Sequence, residues 1–179
     1  MIGDVASHLW TRREAAMCTD GLFWFTPDLS ADDQRILAAK IDAWLDENSN
    51  KIPYSVAHPG GVIFKDDVWV GDTPGQGLTC ATFIAELFNE LGLPFIDANS
   101  WKQRPDDAAW AERILRLISK RMTPEHVEAQ KARIGDAIRI RPSDIAAAGH
   151  LIRQDMEDPL KFEEVDPVRE SIEAWLLKA

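Results

Sequence analysis

The chain has 179 residues and a formal net charge of −10, with 20 Lys and Arg against 30 Asp and Glu. Nucleic-acid binding depends on clustered basic residues, and the sequence has no such cluster, so it argues against nucleic acid as the main partner. The two cysteines, Cys18 and Cys80, are too few for a disulfide framework and lack the spacing of a zinc site. We therefore expect a reducing compartment and no metal.

The N-terminal segment MIGDVASHLWTRREAAM has no long apolar stretch that would indicate a secretory signal. No window reaches the roughly 18 to 20 apolar residues of a membrane span. We expect a soluble protein that is cytoplasmic by default, although export by a route without a cleaved signal would leave the same sequence.

The first 50 residues predict a hairpin followed by a helix. Two β-like runs, HLWTRR and LFWFT, flank the turn signal Asp20-Gly21. Ser30 and Asp33 have the spacing of a capping box, which predicts a helix that ends near DENSN. The apolar face of this helix is formed by Ile36, Leu37, Ile41, Trp44 and Leu45.

A second hairpin and the central helix follow. The segment IPYSVAHPGGVIFKDDVWVGD has β-branched and aromatic runs on both sides of residues 65–67, which predicts a loop that leads into a short hairpin. In TCATFIAELFNELGLP the apolar residues recur at helical spacing, and Gly92 with Pro94 supplies the stop. This pattern places Cys80 in the first turn of a helix.

Helices dominate the remainder of the sequence. DDAAWAERILRLISKRM is amphipathic, Thr123-Pro124 starts another helix, and RPSDIAAAGHL forms a short one. Asp166 and Pro167 are predicted to open the last helix. The fold class is therefore α+β, with strands confined to the first part of the chain.

The position of Cys80 at a helix start suggests that it is a nucleophile. Unsatisfied N–H groups and the positive end of the helix dipole favour a thiolate, which is the nucleophilic form of cysteine. The alternative is that Cys80 is a small buried hydrophobic residue.

A cysteine nucleophile needs a base, and the chain has four histidines. His126 lies on a polar helix and is interpreted as a solvated surface residue. His58 is in the turn-rich segment AHPGG. We expect it to cap the backbone or to be exposed, and the alternative is that it lines a substrate groove. His150 follows AAAG and either packs at a helix end or acts as the base. His8 heads a predicted strand that can reach across a groove to a helix N-terminus.

The order of these elements resembles the circularly permuted papain-like hydrolases of the NlpC/P60 superfamily. The resemblance covers about residues 4–96 and rests on three segments: SHLWTRR as the histidine strand, IPYS with the following GG as the aromatic loop, and TCATFIAELFNELG as the nucleophile helix. It implies a papain-like catalytic core at 1–104, with antiparallel strands and a nucleophile helix. Residues 105–179 would be a helical C-terminal extension that packs on this core.

The resemblance also implies roles for individual residues. Cys80 would be the nucleophile, His8 the general base, and Tyr54 a groove residue whose hydroxyl orients substrate or supports an oxyanion. The sequence departs from the family pattern in two places. Family members commonly have serine at the position of Ala81, and LFWFTP, where a third catalytic polar residue would be expected, contains no acidic residue. The third catalytic residue is therefore open.

The expected activity is that of a thiol-dependent peptidase or amidase that forms an acyl-enzyme on a peptide or acyl substrate and needs no cofactor. One alternative is acyl transfer at the same site. Another is a non-catalytic papain-like interaction protein, in which the C-terminal helices and scattered tryptophans bind a partner. The sequence leaves the substrate and the oligomeric state open.

Overall fold

A computed structural model describes residues 2–7, 10–14, 28–48, 50–58, 63–153 and 156–177 of the chain. The structure is α+β and mostly helical, as the sequence predicts, and its described strands form two antiparallel pairs. The strands are β1 (Ile2–Ser7), β2 (Trp10–Glu14), β3 (Phe64–Lys65) and β4 (Val68–Trp69). The α-helices are α1 (Ala31–Glu47), α2 (Cys80–Glu90), α3 (Asp107–Ile118), α4 (Pro124–Lys131), α5 (Pro142–Leu151) and α6 (Phe162–Leu176).

The N-terminal part of the structure contains a strand, β1, that the sequence did not predict. The predicted strand HLWTRR overlaps β2, but β2 pairs with β1, and Ser7 lies opposite Trp10. The predicted partner LFWFT, residues 22–26, lies outside the described residues.

The predicted start of α1 is confirmed. The hydroxyl of Ser30 accepts a hydrogen bond from the backbone N–H of Asp33 at 3.1 Å, which satisfies one N–H of the first turn. Trp44 and Leu45 are buried, but Ile36 is 55% exposed, so the apolar face is narrower than the spacing predicts.

The hairpin of β3 and β4 is also confirmed, and α1 packs on it. Its turn residues Asp66 and Asp67 have φ angles of 51° and 66°, which suit a tight hairpin turn. The ring of Trp44 stacks on Phe64 with centroids 4.0 Å apart, and its indole N–H donates to Asp67 Oδ1 at 2.9 Å. These contacts tie α1 to the hairpin.

Helix α2 lies at the centre of the described structure. Phe83 and Leu87 on one side belong to a hydrophobic cluster with α1 and the second hairpin. Ala81 and Phe88 on another side belong to a second cluster that includes residues of α5 and α6. The helix ends before Gly92, whose φ of +71° is the left-handed conformation that glycine adopts without strain. Both parts of the chain therefore pack on the helix that starts at Cys80.

A buried polar centre joins α5 to the segment that precedes α3. The carboxylate of Asp144 is completely buried and accepts from the indole N–H of Trp101 at 3.1 Å and from Arg104 Nη2 at 2.7 Å. A buried carboxylate requires such partners.

The last helix begins earlier than predicted. It starts at Phe162, and Pro167 lies inside it rather than at its start. The Glu164 carboxylate accepts from the Lys161 N–H at 2.8 Å, so the helix is closed one turn before the proline. Proline at this sixth position lacks the N–H that would bond to the Glu163 carbonyl, and its ring crowds that carbonyl, so the sequence favours a helix start there.

Candidate active site at the start of helix α2

Cys80 is the first residue of α2 and is half-buried. Thr79 and Thr82 cap the helix reciprocally: Thr79 Oγ1 accepts from the Thr82 N–H at 3.1 Å, and Thr82 Oγ1 accepts from the Thr79 N–H at 2.8 Å. The first helical backbone bond runs from the Phe83 N–H to the Thr79 carbonyl. The N–H groups of Cys80 and Ala81 therefore precede the helical hydrogen bonds, at the positive end of the helix dipole.

Tyr54 lies beside this helix start. It forms a parallel bridge with Leu78, in which the Leu78 N–H donates to the Pro53 carbonyl at 2.9 Å and the Ser55 N–H donates to the Leu78 carbonyl at 3.3 Å. Burial, and then the negative charge of an ionised Cys80, raise the pKa of Tyr54 to about 12. Its hydroxyl is therefore protonated at neutral pH.

Helix α4 holds the tyrosine loop in place. The Nε2 atom of His126 lies 3.0 Å from the Tyr54 carbonyl oxygen, and its Nδ1 accepts from the Gly75 N–H at 3.2 Å. Gln130, which is fully buried, donates to the Gly75 carbonyl and accepts from the Val56 N–H, both at 2.8 Å.

The interpretation of His126 as a solvated residue is wrong. His126 is 7% exposed because the loop carries backbone groups that need buried partners. The polar helix pattern could not reveal this, since the loop lies 72 residues away from it along the chain.

His58 pairs with a carboxylate farther along α2. Its Nε2 lies 2.9 Å from Glu86 Oε1, and Glu86 is itself buried. A helix rises about 1.5 Å per residue, so Glu86 is about 9 Å along the axis from Cys80. A polar cleft of about 530 Å³ opens beside the pair and includes Asn89 and Asn99. His58 thus lines a cleft next to α2, away from its first turn.

The other two histidine predictions have different outcomes. His8 lies outside the described residues; it directly follows β1, the strand that lies against α2. His150 is exposed in the last turn of α5, another helix in contact with α2. Cys18 also lies outside the described residues.

Arg139 is a residue near the site that sequence reasoning missed. Its positive charge acts on Tyr54 and opposes the rise of the tyrosine pKa. The segment IRIRP alternates a buried Ile140 with half-buried Arg139 and Arg141. This period of two indicates an extended segment with one polar face. The alternation is visible in the sequence and could have pointed to Arg139.

Comparison of the chain with protein-family models, curated proteins and solved structures gives no significant match. Across the described residues, no group of three or more His, Cys, Asp or Glu side chains is arranged to hold a metal ion. In the same residues, none of the helices has the length and apolar character needed to cross a bilayer.

Proposed function

We propose that this chain is a thiol-dependent hydrolase, a peptidase or amidase of the papain-like NlpC/P60 type. In this proposal Cys80 is the nucleophile and His8 is the general base. The observation that carries it is a half-buried cysteine in the first turn of α2, two residues after Leu78, which is bridged to Tyr54.

The order of the chain supports the choice of base. His8 directly follows β1, and β1 lies against the helix that begins with Cys80. His126 is engaged with the backbone of Tyr54 and Gly75, and His58 is paired with Glu86. His8 and His150 are therefore the two histidines that an experiment has to separate.

The reaction begins when the base removes the thiol proton and the thiolate attacks the carbonyl carbon of an amide. The carbonyl oxygen becomes an oxyanion, which the Cys80 N–H and the Tyr54 hydroxyl stabilise. The protonated base then donates its proton to the leaving amine, which departs and leaves a thioester. Water, deprotonated by the same base, hydrolyses the thioester and restores the thiol.

The first experiment compares alkylation of the folded protein by iodoacetamide at Cys80 and Cys18. We expect Cys80 to react much faster, because a helix N-terminus with an adjacent base favours the thiolate. His8→Gln should slow this reaction at neutral pH, whereas His150→Gln should leave it unchanged. The reverse pattern would transfer the role of base to His150.

The second experiment measures hydrolysis of a panel of peptides, amides and esters by the wild type and by Cys80→Ser. We expect turnover that the serine variant loses without a change in thermal midpoint, because serine is well accepted at helix starts. Transfer of the acyl group to an added amine, in preference to water, would identify an acyltransferase. A destabilised Cys80→Ser variant, with no turnover in the wild type, would contradict the enzyme proposal.

A further inference from the structure

A cleft of about 550 Å³ lies between α3, the start of α5 and the end of α6. Trp110 forms one wall, and the Arg139 guanidinium lies over the indole ring, 3.8 Å from its centroid. Pro142 and Ser143, the first two residues of α5, form another part of the lining. The positive end of the α5 dipole therefore faces the same space as the arginine.

In the part of the chain that the structure describes, Arg139 has no hydrogen-bond acceptor of its own. Its side chain is only 14% exposed, and its nearest carboxylate oxygen, Asp107 Oδ1, is 3.6 Å from Nη1. That oxygen accepts instead from Arg141 Nη2 at 2.8 Å. Among the described residues, no side-chain N–H of Arg139 donates a hydrogen bond, and its Nε is buried without a partner. Buried donors in proteins normally have acceptors, so this guanidinium lacks an expected partner.

The acids at the cleft are already engaged by other groups. Asp106 accepts from Arg141 at 2.5 Å, and Glu173 accepts from Arg169 at 2.5 Å and from the Ser143 hydroxyl at 2.6 Å. Arg113, one turn after Trp110 on α3, lines the cleft, is exposed and has no ion pair among the described residues. Within the described ranges, Arg139 and Arg113 thus line the cleft without a hydrogen-bonded acid, in a protein whose net charge is −10.

We propose that this cleft binds the oxyanion group, a phosphate or a carboxylate, of a small ligand through Arg139 and Arg113. The guanidinium presents a planar set of donors that matches two oxygens of either group. Stacking on Trp110 fixes the orientation of this plane before the ligand arrives. Burial and the neighbouring charge of Arg141 lower the pKa of Arg139, and a bound anion would relieve both effects. The inference does not depend on the reactivity of Cys80.

The test titrates inorganic phosphate and, separately, succinate into the folded protein at constant ionic strength. Calorimetry gives the affinity, and the NMR signals of the arginine Nε–H groups report the site. We expect saturable binding of at least one anion and a shift of the Arg139 signal. Tighter binding of phosphate would indicate a phosphorylated ligand, and tighter binding of succinate a carboxylate ligand.

Arginine variants distinguish specific anion binding in the cleft from nonspecific attraction to positive charge. Arg139→Gln should weaken binding at least about tenfold, because a charge-assisted pair of hydrogen bonds is lost. Arg116→Gln, which removes the same charge from α3 outside this cleft, should have little effect. Arg113→Gln changes an exposed residue and keeps the test valid if Arg139→Gln does not fold. Absence of saturable binding, or equal weakening by Arg113→Gln and Arg116→Gln, would overturn the proposal.

Discussion

The imidazole of His126 and the carbonyl of Tyr54 are joined by a hydrogen bond of 3.0 Å that connects α4 to the loop beside Cys80. The same ring accepts from the Gly75 N–H, so a neutral imidazole with its proton on Nε2 satisfies both backbone groups. A histidine remote in sequence therefore determines where the only tyrosine of the chain lies. Its role is to position Tyr54.

Replacing His126 by leucine should destabilise the fold by roughly 2 to 4 kcal/mol, because two buried backbone groups lose their partners. Urea denaturation monitored by circular dichroism measures this change. His150→Leu is the matched control: because His150 is exposed, its effect should be within about 0.5 kcal/mol. Equal effects of the two variants would show that the His126 contacts do not hold the loop.

The ionisation of Tyr54 should be observable directly, because the chain contains one tyrosine. Absorbance at the tyrosinate band after a rapid pH jump should give a midpoint near the pKa of about 12, instead of the ordinary 10.0. Cys80→Ser should lower this midpoint, since the thiolate charge contributes to the rise, and Arg139→Gln should raise it. A midpoint near 10.0 in the folded protein would mean that Tyr54 is neither buried nor close to Cys80.

The same shift predicts how stability depends on alkaline pH. The folded state retains the Tyr54 proton at pH values where the unfolded state has lost it, so stability falls as the pH rises from the unfolded pKa to the folded one. The loss across this window, from 10.0 to about 12, should be roughly 2 to 3 kcal/mol. Urea midpoints across this range, compared between the wild type and Tyr54→Phe, isolate the contribution of this group.

Gly77 should not tolerate a side chain. A Cβ atom there would lie 2.4 Å from the Pro53 carbonyl oxygen and 2.9 Å from the Tyr54 carbonyl carbon. Both are backbone atoms that cannot move aside, so Gly77→Ala should lower stability by about 3 kcal/mol or more. Gly92→Ala meets no atom within 4 Å and should cost about 1 to 2 kcal/mol through its positive φ alone. Thermal midpoints that rank the two variants in the opposite order would contradict this packing.

Removing residues 105–179 should expose the face of α2 that contains Ala81 and Phe88, because this face belongs to the cluster shared with α5 and α6. We expect the shortened chain to aggregate or to lose its cooperative transition, as measured by size-exclusion chromatography and thermal melting. A soluble shortened chain with the melting behaviour and thiol reactivity of the full chain would show that the C-terminal helices are independent of the core.

The sequence by itself determined the elements whose signals are local. The capping spacing at Ser30, the turn at residues 65–67 and the stop at Gly92 each depend on a few neighbouring residues, so they correctly predict α1, the second hairpin and α2. The position of Cys80 in the first turn of α2 follows from the same kind of signal. Local rules were less reliable where two signals compete, as at Pro167, where a cap one turn earlier starts the helix.

Only the tertiary structure decided which groups meet. Buried backbone groups of Gly75 and Tyr54 recruit His126 from another helix, Glu86 takes His58 as a partner, and Trp110 supports Arg139. The partners in these pairs are 28 to 72 residues apart in the sequence. This separation is far longer than the spacing of a helix or a turn, so no periodicity encodes the pairs. They form because polar groups removed from water require partners wherever the fold brings one within reach.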